Sequence, residues 1–532
     1  MNIKPAFAAL LQPTANAAEN KNISIENVAI FLWIIAVFAS MWTHELWRDE
    51  TREFLIATET NSFKEYFDFA KYDGHPLLWR TILMVLHWLI PHQLVLATGS
   101  FIVGLTFVFI FVKYSSFPLL FRVLFIFGIV PFSVNTVDAR DYGVSMLLFF
   151  ILAACYPQSK RHPVLMGVLL FLQANSNLYG MYLSGLFLAC WIADSGITLL
   201  KEDKRYIMAA AIALAGIAIS YYSTRFDAES VFIKPEKFAS IDYWKAAAKA
   251  LRHPGEYIWY IFNVPPLVRD IFVIGLIIGL FVISPYFGIT LWVAVTFFNF
   301  VGAAFIYPQT RHQGVLYGFI IALYWIALSD ILSKKKQGVF NDASIVFFFI
   351  LYIFLMPFLI HEIKINNDIV IQEAEVEKST ALAAGNYLRT NSQLEQAIII
   401  GTPDYTLEPI AFYSGNRMYL VQEEVFRDFV NFSRKFEKTH SLMQLLNAAK
   451  KINAERKVPV IIIIGYFGLK EGITIPTIYR GNFNIKEVDT FKAETVKLAE
   501  FNRSLGDENY QLFLYLPKDE LEAYKKKYME LR

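Results

Sequence analysis

The chain has 532 residues, of which 55% are hydrophobic and 18% are charged, and its formal net charge is +2. With a mean hydropathy of +0.40 it is too apolar for an ordinary soluble protein, and the composition predicts a polytopic membrane protein. No basic stripe is interleaved with aromatic residues, so nucleic acid is not expected as a partner. Both cysteines, Cys155 and Cys190, lie in apolar runs, so no disulfide framework is expected.

A membrane-spanning helix needs roughly 20 mainly apolar residues. The first long apolar stretch begins near Asn27 and is predicted to stay in the protein as a signal anchor. The sequence therefore predicts an α-helical polytopic membrane protein with about 11 transmembrane helices. The predicted spans are 26–43, 94–113, 117–136, 142–157, 163–177, 179–199, 206–222, 269–284, 286–306, 314–332 and 343–361.

Positive charge in the short loops predicts the orientation, because loops rich in Lys and Arg stay on the cytoplasmic side. With the N-terminus inside, the basic segments 160–161, 201–205 and 334–336 are all cytoplasmic. The outer side then holds 44–93, 137–141, 223–268, 307–313 and everything from 362 onwards. We therefore expect a protein of the plasma (inner) membrane whose C-terminal domain is extracytoplasmic.

Charged residues cluster in the outer loop 44–93, just after the first span. Asp49 and Glu50 follow Trp42 by about two helical turns, which places them at the membrane interface or just above it. A carboxylate that is partly shielded from water in this position can hold a raised pKa and act as a general base. The alternative is a solvated helix start whose charges merely keep the loop outside.

The same loop continues with Asp73-Gly74-His75-Pro76 and an apolar stretch, 77–90, that is too short to span and is predicted as an interfacial helix. Pro76 suits the first position of that helix. His75 would then lie beside the free N–H groups of a helix start, where an imidazole can donate to a phosphate. A plain turn that begins a helix explains the same residues equally simply.

Cationic side chains occur at two further outer boundaries. Arg140 and Asp141 open an apolar segment next to Tyr142, and Arg311 precedes another. Arginine can contact a phosphate through two hydrogen bonds, which makes Arg140 and Arg311 candidates for anion binding. Charges at such boundaries are also common as plain anchors.

Polar residues interrupt the apolar region between two short predicted spans. Asn177 and Tyr179 lie in this break and could line a sugar pocket. A polar kink that neighbouring helices hold in place is an equal alternative.

From residue 362 the composition changes to that of a soluble protein, and 362–532 is predicted to be an α/β domain separate from the transmembrane domain, residues 1–361. The segments 396–401, 458–465 and 511–516 are predicted to be buried strands because their apolar runs are too short to span. One or two helices are predicted over 421–450, where Ser441 and Gln444 have the spacing of a capping box.

These motifs resemble those of the GT-C superfamily of integral membrane glycosyltransferases, in the branch that includes protein O-mannosyltransferases and lipid A aminoarabinose transferases. The resemblance extends over residues 1–330 and departs from the family at Leu77 and Asp141, where proline is frequent. The matching groups, in the expected order, are Asp49-Glu50, Gly74-His75-Pro76, Ala139-Arg140-Asp141-Tyr142 and Arg311.

The resemblance implies a hexosyl- or pentosyltransferase that takes a sugar from a polyprenyl-phosphate donor and transfers it, with inversion, to a hydroxyl of a lipid, glycan or protein acceptor. It implies that Asp49 is the base, with Glu50 as the next candidate, and that Asp141 orients the sugar or the second substrate. His75, Arg140 and Arg311 would neutralise the leaving phosphate. Carboxylates near a phosphate also leave room for a divalent cation.

Two other functions fit the composition, a lipid or glycolipid transporter (flippase) and a non-catalytic cell-envelope assembly protein. Transporters place ionisable residues near the middle of the bilayer and often carry inverted repeats. Here the charges gather at one interface and no internal repeat is visible in the sequence. The transferase interpretation therefore predicts that Asp49, His75, Arg140 and Asp141 converge on one outward cavity that is open to the membrane lipids.

Overall fold

The structure is a computed structural model and describes residues 24–528 apart from 61, 226–229, 231–234, 306–307, 337–341, 434–440 and 466–484. The segment before the predicted signal anchor and parts of the predicted outer loops 223–268 and 307–313 lie outside the described residues.

Helices form most of the described chain. A π-helix over Val130–Val137 lies between α6 and α7. The α-helices are α1 Ile25–Thr43, α2 Arg48–Glu59, α3 Phe63–Asp73, α4 Leu78–Leu89, α5 Val95–Tyr114, α6 Leu119–Ile126, α7 Tyr142–Cys155, α8 Pro163–Ala174, α9 Leu178–Ser195, α10 Leu199–Glu202, α11 Lys204–Thr224, α12 Pro235–Ala239, α13 Tyr243–Arg252, α14 Pro266–Ile283, α15 Pro285–Ala304, α16 Thr310–Lys336, α17 Asp342–Glu375, α18 Ala381–Thr390, α19 Glu408–Ser414, α20 Leu442–Arg456, α21 Ile485–Glu494 and α22 Lys518–Tyr528.

The helices confirm the predicted class, a polytopic helical membrane protein, and refine its span count. Among the described residues, 7 helices are long and apolar enough to cross a membrane, or 8 if α6 and the π-helix form one bent span. Two predicted spans correspond to α7 and α8, which have only 14 and 12 residues. An apolar run does not reveal where its helix breaks, and α8 ends where Asn175 forms its C-cap instead of continuing as predicted.

The loop 44–93, predicted to lie on the outer side, folds into three helices, α2, α3 and α4. Ser62 caps α3 by accepting from the N–H of Glu65, and α3 ends at Gly74, whose φ of 73° favours glycine. The apolar helix predicted over 77–90 is α4, but it begins at Leu78, so the prediction that Pro76 occupies its first position is wrong. Pro76 instead lies in the turn that separates α3 from α4.

The turn 138–141 connects the π-helix to α7 and packs tightly against it. The N–H of Asp138 donates to the carbonyl of Ser133, and the N–H of Arg140 donates to the carbonyl of Asp138. A Cβ added at Gly143 would lie 2.3 Å from the carbonyl oxygen of Asn135, so only glycine allows this approach. The close packing holds the turn in one place at the start of α7.

The C-terminal domain contains a four-stranded sheet in the order β1-β4-β6-β5, and the predicted α/β character of this region is confirmed. The central strands β4 and β6 are antiparallel, and the edge strand β1 pairs with β4 in parallel. The strands are β1 Ile398–Thr402, β2 Tyr419–Leu420, β3 Val425–Phe426, β4 Val460–Gly465, β5 Val496–Phe501 and β6 Tyr510–Tyr515.

The three predicted strands correspond to β1, β4 and β6, whose side chains are buried almost throughout. Strand β5 was not predicted because its alternating side chains leave it half-exposed at the sheet edge. Within 421–450, the capping box of Ser441 and Gln444 is confirmed at the start of α20. The helical prediction is wrong at β3, which pairs with β2 as a short antiparallel ribbon.

Helix α2 lies between the membrane helices and the C-terminal sheet domain. Its residues 50–57 are all buried. The ring of Phe54 contacts His87 of α4 on one side and Phe412 of α19 on the other, with centroids 5.2 and 5.4 Å away. The hydroxyl of Tyr413 donates to the carbonyl of Leu46 and accepts from its N–H. Both domains of the protein therefore fix the position of α2.

Candidate active site

An ion-pair cluster formed by Asp49, Arg140 and Arg311 lies at the first turn of α2; we call it the Asp49 cluster. Nη1 of Arg140 lies 2.7 Å from Oδ2 of Asp49, and Nη1 of Arg311 lies 2.9 Å from the same oxygen. The side chains of Asp49, Arg140 and Arg311 are 27%, 5% and 21% exposed. A carboxylate and two guanidiniums thus meet at a place that solvent can reach.

The three residues come from distant segments of the chain and all lie at helix ends. Asp49 lies in the first turn of α2, Arg140 in the turn before α7, and Arg311 in the first turn of α16. The dipole of α2 favours a carboxylate in its first turn. Ion pairs between helix ends place the cluster at one end of the helix bundle instead of its middle.

His75 and Asp141 form a second pair beside this cluster. Nδ1 of His75 lies 3.5 Å from Oδ2 of Asp141, with side chains 25% and 5% exposed. The charge of His75 also acts on Asp49, and the charges of Arg140 and Arg311 act on Asp141. The structure therefore brings together the four residues that the sequence predicted to converge, Asp49, His75, Arg140 and Asp141, and adds Arg311.

The charges of this region hold the carboxylates ionised. Withdrawal from water raises the pKa of Asp49. The charges of Arg140 and then Arg311 lower it by a larger amount, so the pKa lies far below its usual range. Desolvation likewise raises the pKa of Asp141, and the imidazole of His75 beside it reverses this to a net lowering. For His75, desolvation lowers the pKa, and the neighbouring carboxylate of Asp141 produces a net rise.

Aromatic residues line the same region. Cζ of Arg140 lies 5.7 Å from the ring centroid of Tyr142. The ring of His312 lies 6.0 Å from that of Tyr142 and 5.1 Å from that of Tyr179. Asn177 caps α9 by accepting from the N–H of Gly180 at 2.7 Å, which gives its oxygen a structural use. Tyr142 and Tyr179 are thus placed beside the charges, and Asn177 caps α9, the helix that carries Tyr179.

Two further aromatic side chains, Trp47 and His312, lie beside the cluster. The ring of Trp47 has Cζ of Arg48 at 5.3 Å and Cζ of Arg311 at 5.9 Å. His312 contacts both predicted tyrosines, as described above. In the sequence, only their positions beside predicted site residues point to them: Trp47 shortly precedes Asp49 and Glu50, and His312 follows Arg311.

The side chain of Glu50 points into the protein, although Glu50 is the chain neighbour of the partly exposed Asp49. Its side chain is fully buried, Oε1 accepts from the N–H of Ala139 at 2.7 Å, and Oε2 accepts from the N–H of Trp47 at 3.2 Å. Nε2 of His44 lies 3.1 Å from Oε2. Protein groups therefore use both oxygens of Glu50, and one of those bonds holds the turn that carries Arg140.

Behind Glu50 the contacts extend into a network that sequence reasoning missed, formed by His44, Glu50, Asp138, Glu373 and Lys378; we call it the Glu50 network. Nδ1 of His44 lies 3.0 Å from Glu373, and Nζ of Lys378 lies 2.6 Å from Asp138. Burial alone would raise the pKa of Glu50 and lower that of His44. Their mutual attraction reverses both, so the pKa of Glu50 is lowered and that of His44 is raised to about 10.

A further set of buried charges ties α2 to the C-terminal domain. Arg52 lies 2.5 Å from Glu408 and 3.2 Å from Asp73, and it donates to the carbonyl of Val430 at 2.7 Å. Arg80 pairs with Asp73 and, at 2.7 Å, with Glu53. The helix that carries Asp49 is therefore held by charge as well as by apolar packing.

Two groups of side chains have a spacing that suits a divalent cation. They are His44, Glu50 and Asp138, and Glu53, Asp73 and His75, with ligand atoms within 4.8 Å of one another in each group. Cationic side chains already contact both groups, Lys378 at Asp138 and Arg80 at Glu53 and Asp73. In each group the protein's own cations thus balance carboxylate charge that a metal would otherwise neutralise.

An apolar groove of about 590 Å³ runs between α1, α6 and α17. Its lining residues Thr43 and Ala374 are the chain neighbours of His44 and Glu373 in the Glu50 network. None of the predicted site residues lines it, so the groove and the Asp49 cluster are separate features.

No protein-family model matches the chain, and no curated protein matches it. Among solved structures it is similar to ArnT from Cupriavidus metallidurans bound to undecaprenyl phosphate, with a TM-score of 0.49 at 12% identity over 92% of this chain and 98% of that one. The apo state of that protein gives a TM-score of 0.47 at 12% identity, over 93% and 99%. An Archaeoglobus fulgidus oligosaccharyltransferase tethered with an acceptor peptide gives 0.41 at 12% identity, over 83% and 69%. Likenesses this distant carry no argument about function, which has to rest on the site itself.

Proposed function

We propose that this protein is an inverting glycosyltransferase that moves a sugar from a polyprenyl-phosphate donor to an acceptor hydroxyl at the extracytoplasmic face of the plasma (inner) membrane. The observation that carries the proposal is the meeting of Asp49 with Arg140 and Arg311. A base and two phosphate-binding cations are the groups that such a transfer needs.

In this mechanism a carboxylate oxygen of Asp49 takes the proton of the acceptor hydroxyl. The acceptor oxygen forms a bond to the anomeric carbon, and the bond from that carbon to the phosphate oxygen breaks with its electron pair. Direct displacement inverts the anomeric configuration. Arg140 and Arg311 stabilise the charge that develops on the leaving polyprenyl phosphate.

The neighbouring residues receive supporting roles. Asp141, held by His75 at 3.5 Å, orients the sugar or the second substrate, and His75 adds positive charge near the phosphate. Tyr142 and Tyr179 form an aromatic wall around His312 against which a sugar ring can lie. Glu50 acts as a positioning residue, because its oxygens hold the N–H of Ala139 and the imidazole of His44.

The location of the charges supports a transferase over a transporter or flippase. A transporter places ionisable residues near the bilayer midplane. Here Asp49 lies in the first turn of α2, Arg140 in the turn before α7, and Arg311 in the first turn of α16. A non-catalytic assembly protein has no comparable need for a partly exposed carboxylate between two arginines.

The test is a transfer assay with purified protein in proteoliposomes and a panel of radiolabelled polyprenyl-phosphate sugars, with acceptors supplied by membranes from cells that lack the protein. We expect release of polyprenyl phosphate, and a loss of about 10²–10⁴-fold in Asp49→Asn. The matched control is Asp203→Asn, because Asp203 is also paired with an arginine and also 27% exposed. Near-normal turnover by Asp49→Asn would remove Asp49 as the base.

A further inference from the structure

In the Asp49 cluster, the proposed base and the proposed phosphate-binding arginines contact each other and do not form two separate sites. Both guanidiniums approach Oδ2 of Asp49, at 2.7 and 2.9 Å. The arginines that should bind the donor phosphate thus already pair with the carboxylate that should act as base. A carboxylate between two arginines is a poor base, since their charges favour its ionised form.

The charges of the cluster leave room for one further anion. One carboxylate and two guanidiniums carry a net charge of about +1, and the phosphodiester of a polyprenyl-phosphate sugar supplies one negative charge. The adjacent pair of His75 and Asp141 is internally balanced when the imidazole is protonated. The partial exposure of Asp49 and Arg311, 27% and 21%, leaves a path by which an anion can reach them.

We propose that Asp49 occupies the place of the donor phosphate at Arg140 and Arg311, and that donor binding displaces its carboxylate and so turns it into the base. This inference rests on the proposed function. In the donor-free protein Asp49 is held ionised by the arginines. When the phosphate takes over those contacts, Asp49 loses its cationic partners and becomes able to accept a proton from the acceptor.

The exchange determines an order of events. The donor binds before the acceptor can be deprotonated, so the base exists only when a sugar is in place. After transfer the proton is on Asp49 and the arginines hold the polyprenyl phosphate. When Asp49 releases that proton, its carboxylate competes again for the arginines and favours departure of the lipid.

The test measures binding of undecaprenyl phosphate to the full chain in nanodiscs, with undecaprenol as the probe that lacks the phosphate. If Asp49 competes with the phosphate, Asp49→Asn binds undecaprenyl phosphate roughly tenfold more tightly than the natural chain while losing turnover. Asp49→Glu retains the competing carboxylate and keeps the natural affinity. Arg140→Gln weakens binding of the phosphate, and all variants bind undecaprenol alike.

The outcomes separate the two proposals. If Arg140→Gln weakens binding but Asp49→Asn leaves the affinity unchanged or lowers it, the exchange is wrong and the proposed function stands. If undecaprenyl phosphate and undecaprenol bind equally to the natural chain, no phosphate site exists and the proposed function falls as well. Asp203→Asn, as the control, leaves every affinity unchanged, and an unchanged thermal midpoint checks that each variant is folded.

Discussion

The Asp49 cluster and the Glu50 network lie on opposite sides of the first turn of α2, and their acidic residues are adjacent in sequence. The carboxylate of Asp49 is 27% exposed and contacts Arg140 and Arg311, whose side chains are 5% and 21% exposed. The carboxylate of Glu50 is fully buried and contacts His44 and two backbone N–H groups. Carboxylates at successive positions thus differ in surroundings: that of Asp49 is partly exposed and paired with arginines, and that of Glu50 is enclosed by groups of the protein.

The difference shows how a reactive carboxylate is held in place. Successive residues of a helix point about 100° apart, so when Glu50 faces the interior, Asp49 must face elsewhere. Glu50 also fixes the turn 138–141 through the N–H of Ala139, next to Arg140. The buried network therefore sets the distance between Asp49 and Arg140 without touching a substrate.

After Asp49→Asn, the largest effect that separates the two clusters is expected for Arg140→Gln. Loss of this cation should lower kcat/KM about 10²–10³-fold, because the leaving phosphate loses a preorganised charge. Arg311→Gln should cost less, since its side chain is 21% exposed and Arg140 only 5%. The measurement is initial rate against donor concentration, with the surface variant Arg205→Gln as control. An unchanged rate in Arg140→Gln would remove it from the site.

Glu50→Gln should have a smaller effect of another kind. The loss of one charged hydrogen bond costs about 1.5 kcal/mol, which corresponds to roughly a tenfold fall in kcat. The variant Glu50→Ala should in addition lower the thermal midpoint. Glu202→Gln, at an exposed position, is the control. If Glu50→Gln instead were as inactive as Asp49→Asn with an unchanged thermal midpoint, Glu50 would be the base and the roles of the two clusters would be reversed.

The Glu50 network should also make stability depend on alkaline pH. The pKa of His44 is raised from 6.5 to about 10, so its protonated form stabilises the folded state. That stability is fully present below pH 6.5 and is lost as the pH rises through about 10. We expect the thermal midpoint to fall over this range less steeply in His44→Gln, with the exposed His92→Gln as control. Equal slopes would mean that His44 is neutral in the folded protein.

The smallest effect is expected at the edge of the contact between α2 and the C-terminal domain. Asp507 is 45% exposed and pairs with Arg48, so Asp507→Asn should change stability by less than about 1 kcal/mol. Its neighbour Glu508 is only 2% exposed and accepts from the N–H of Arg48 and the hydroxyl of Ser379, so Glu508→Gln should cost more. The thermal midpoints of the two variants are compared with that of the natural chain. Equal decreases in Asp507→Asn and Glu508→Gln would contradict the expectation.

Much of the fold followed from local sequence. The apolar runs identified the membrane helices, and the buried strands β1, β4 and β6 appeared as short runs of apolar residues. The breaks within runs did not follow, because the end of α8 at Asn175 depends on the packing of neighbouring helices. Strand β5 was missed for a related reason, since only its pairing with β6 distinguishes it from a polar loop.

The candidate site shows the same division. The acidic, histidine and arginine residues at the ends of the apolar segments could be named from the sequence, because charges are rare in so apolar a chain. The Glu50 network could not, since His44 is far along the chain from Glu373 and Lys378 and meets them only in the folded protein. His312 and Trp47 likewise acquire meaning only through the rings and guanidiniums around them.

The sequence by itself determined that this is a helical membrane protein with a C-terminal α/β domain and that its unusual charges lie at the ends of its apolar segments. Tertiary structure alone decided that Asp49 meets Arg140 and Arg311 while Glu50 turns inward. The physical reason is that hydropathy and spacing act along the chain, whereas an ion pair depends on distance between segments that packing brings together. Whether a carboxylate serves as a base or as a positioning residue is therefore decided by its surroundings and not by its residue type.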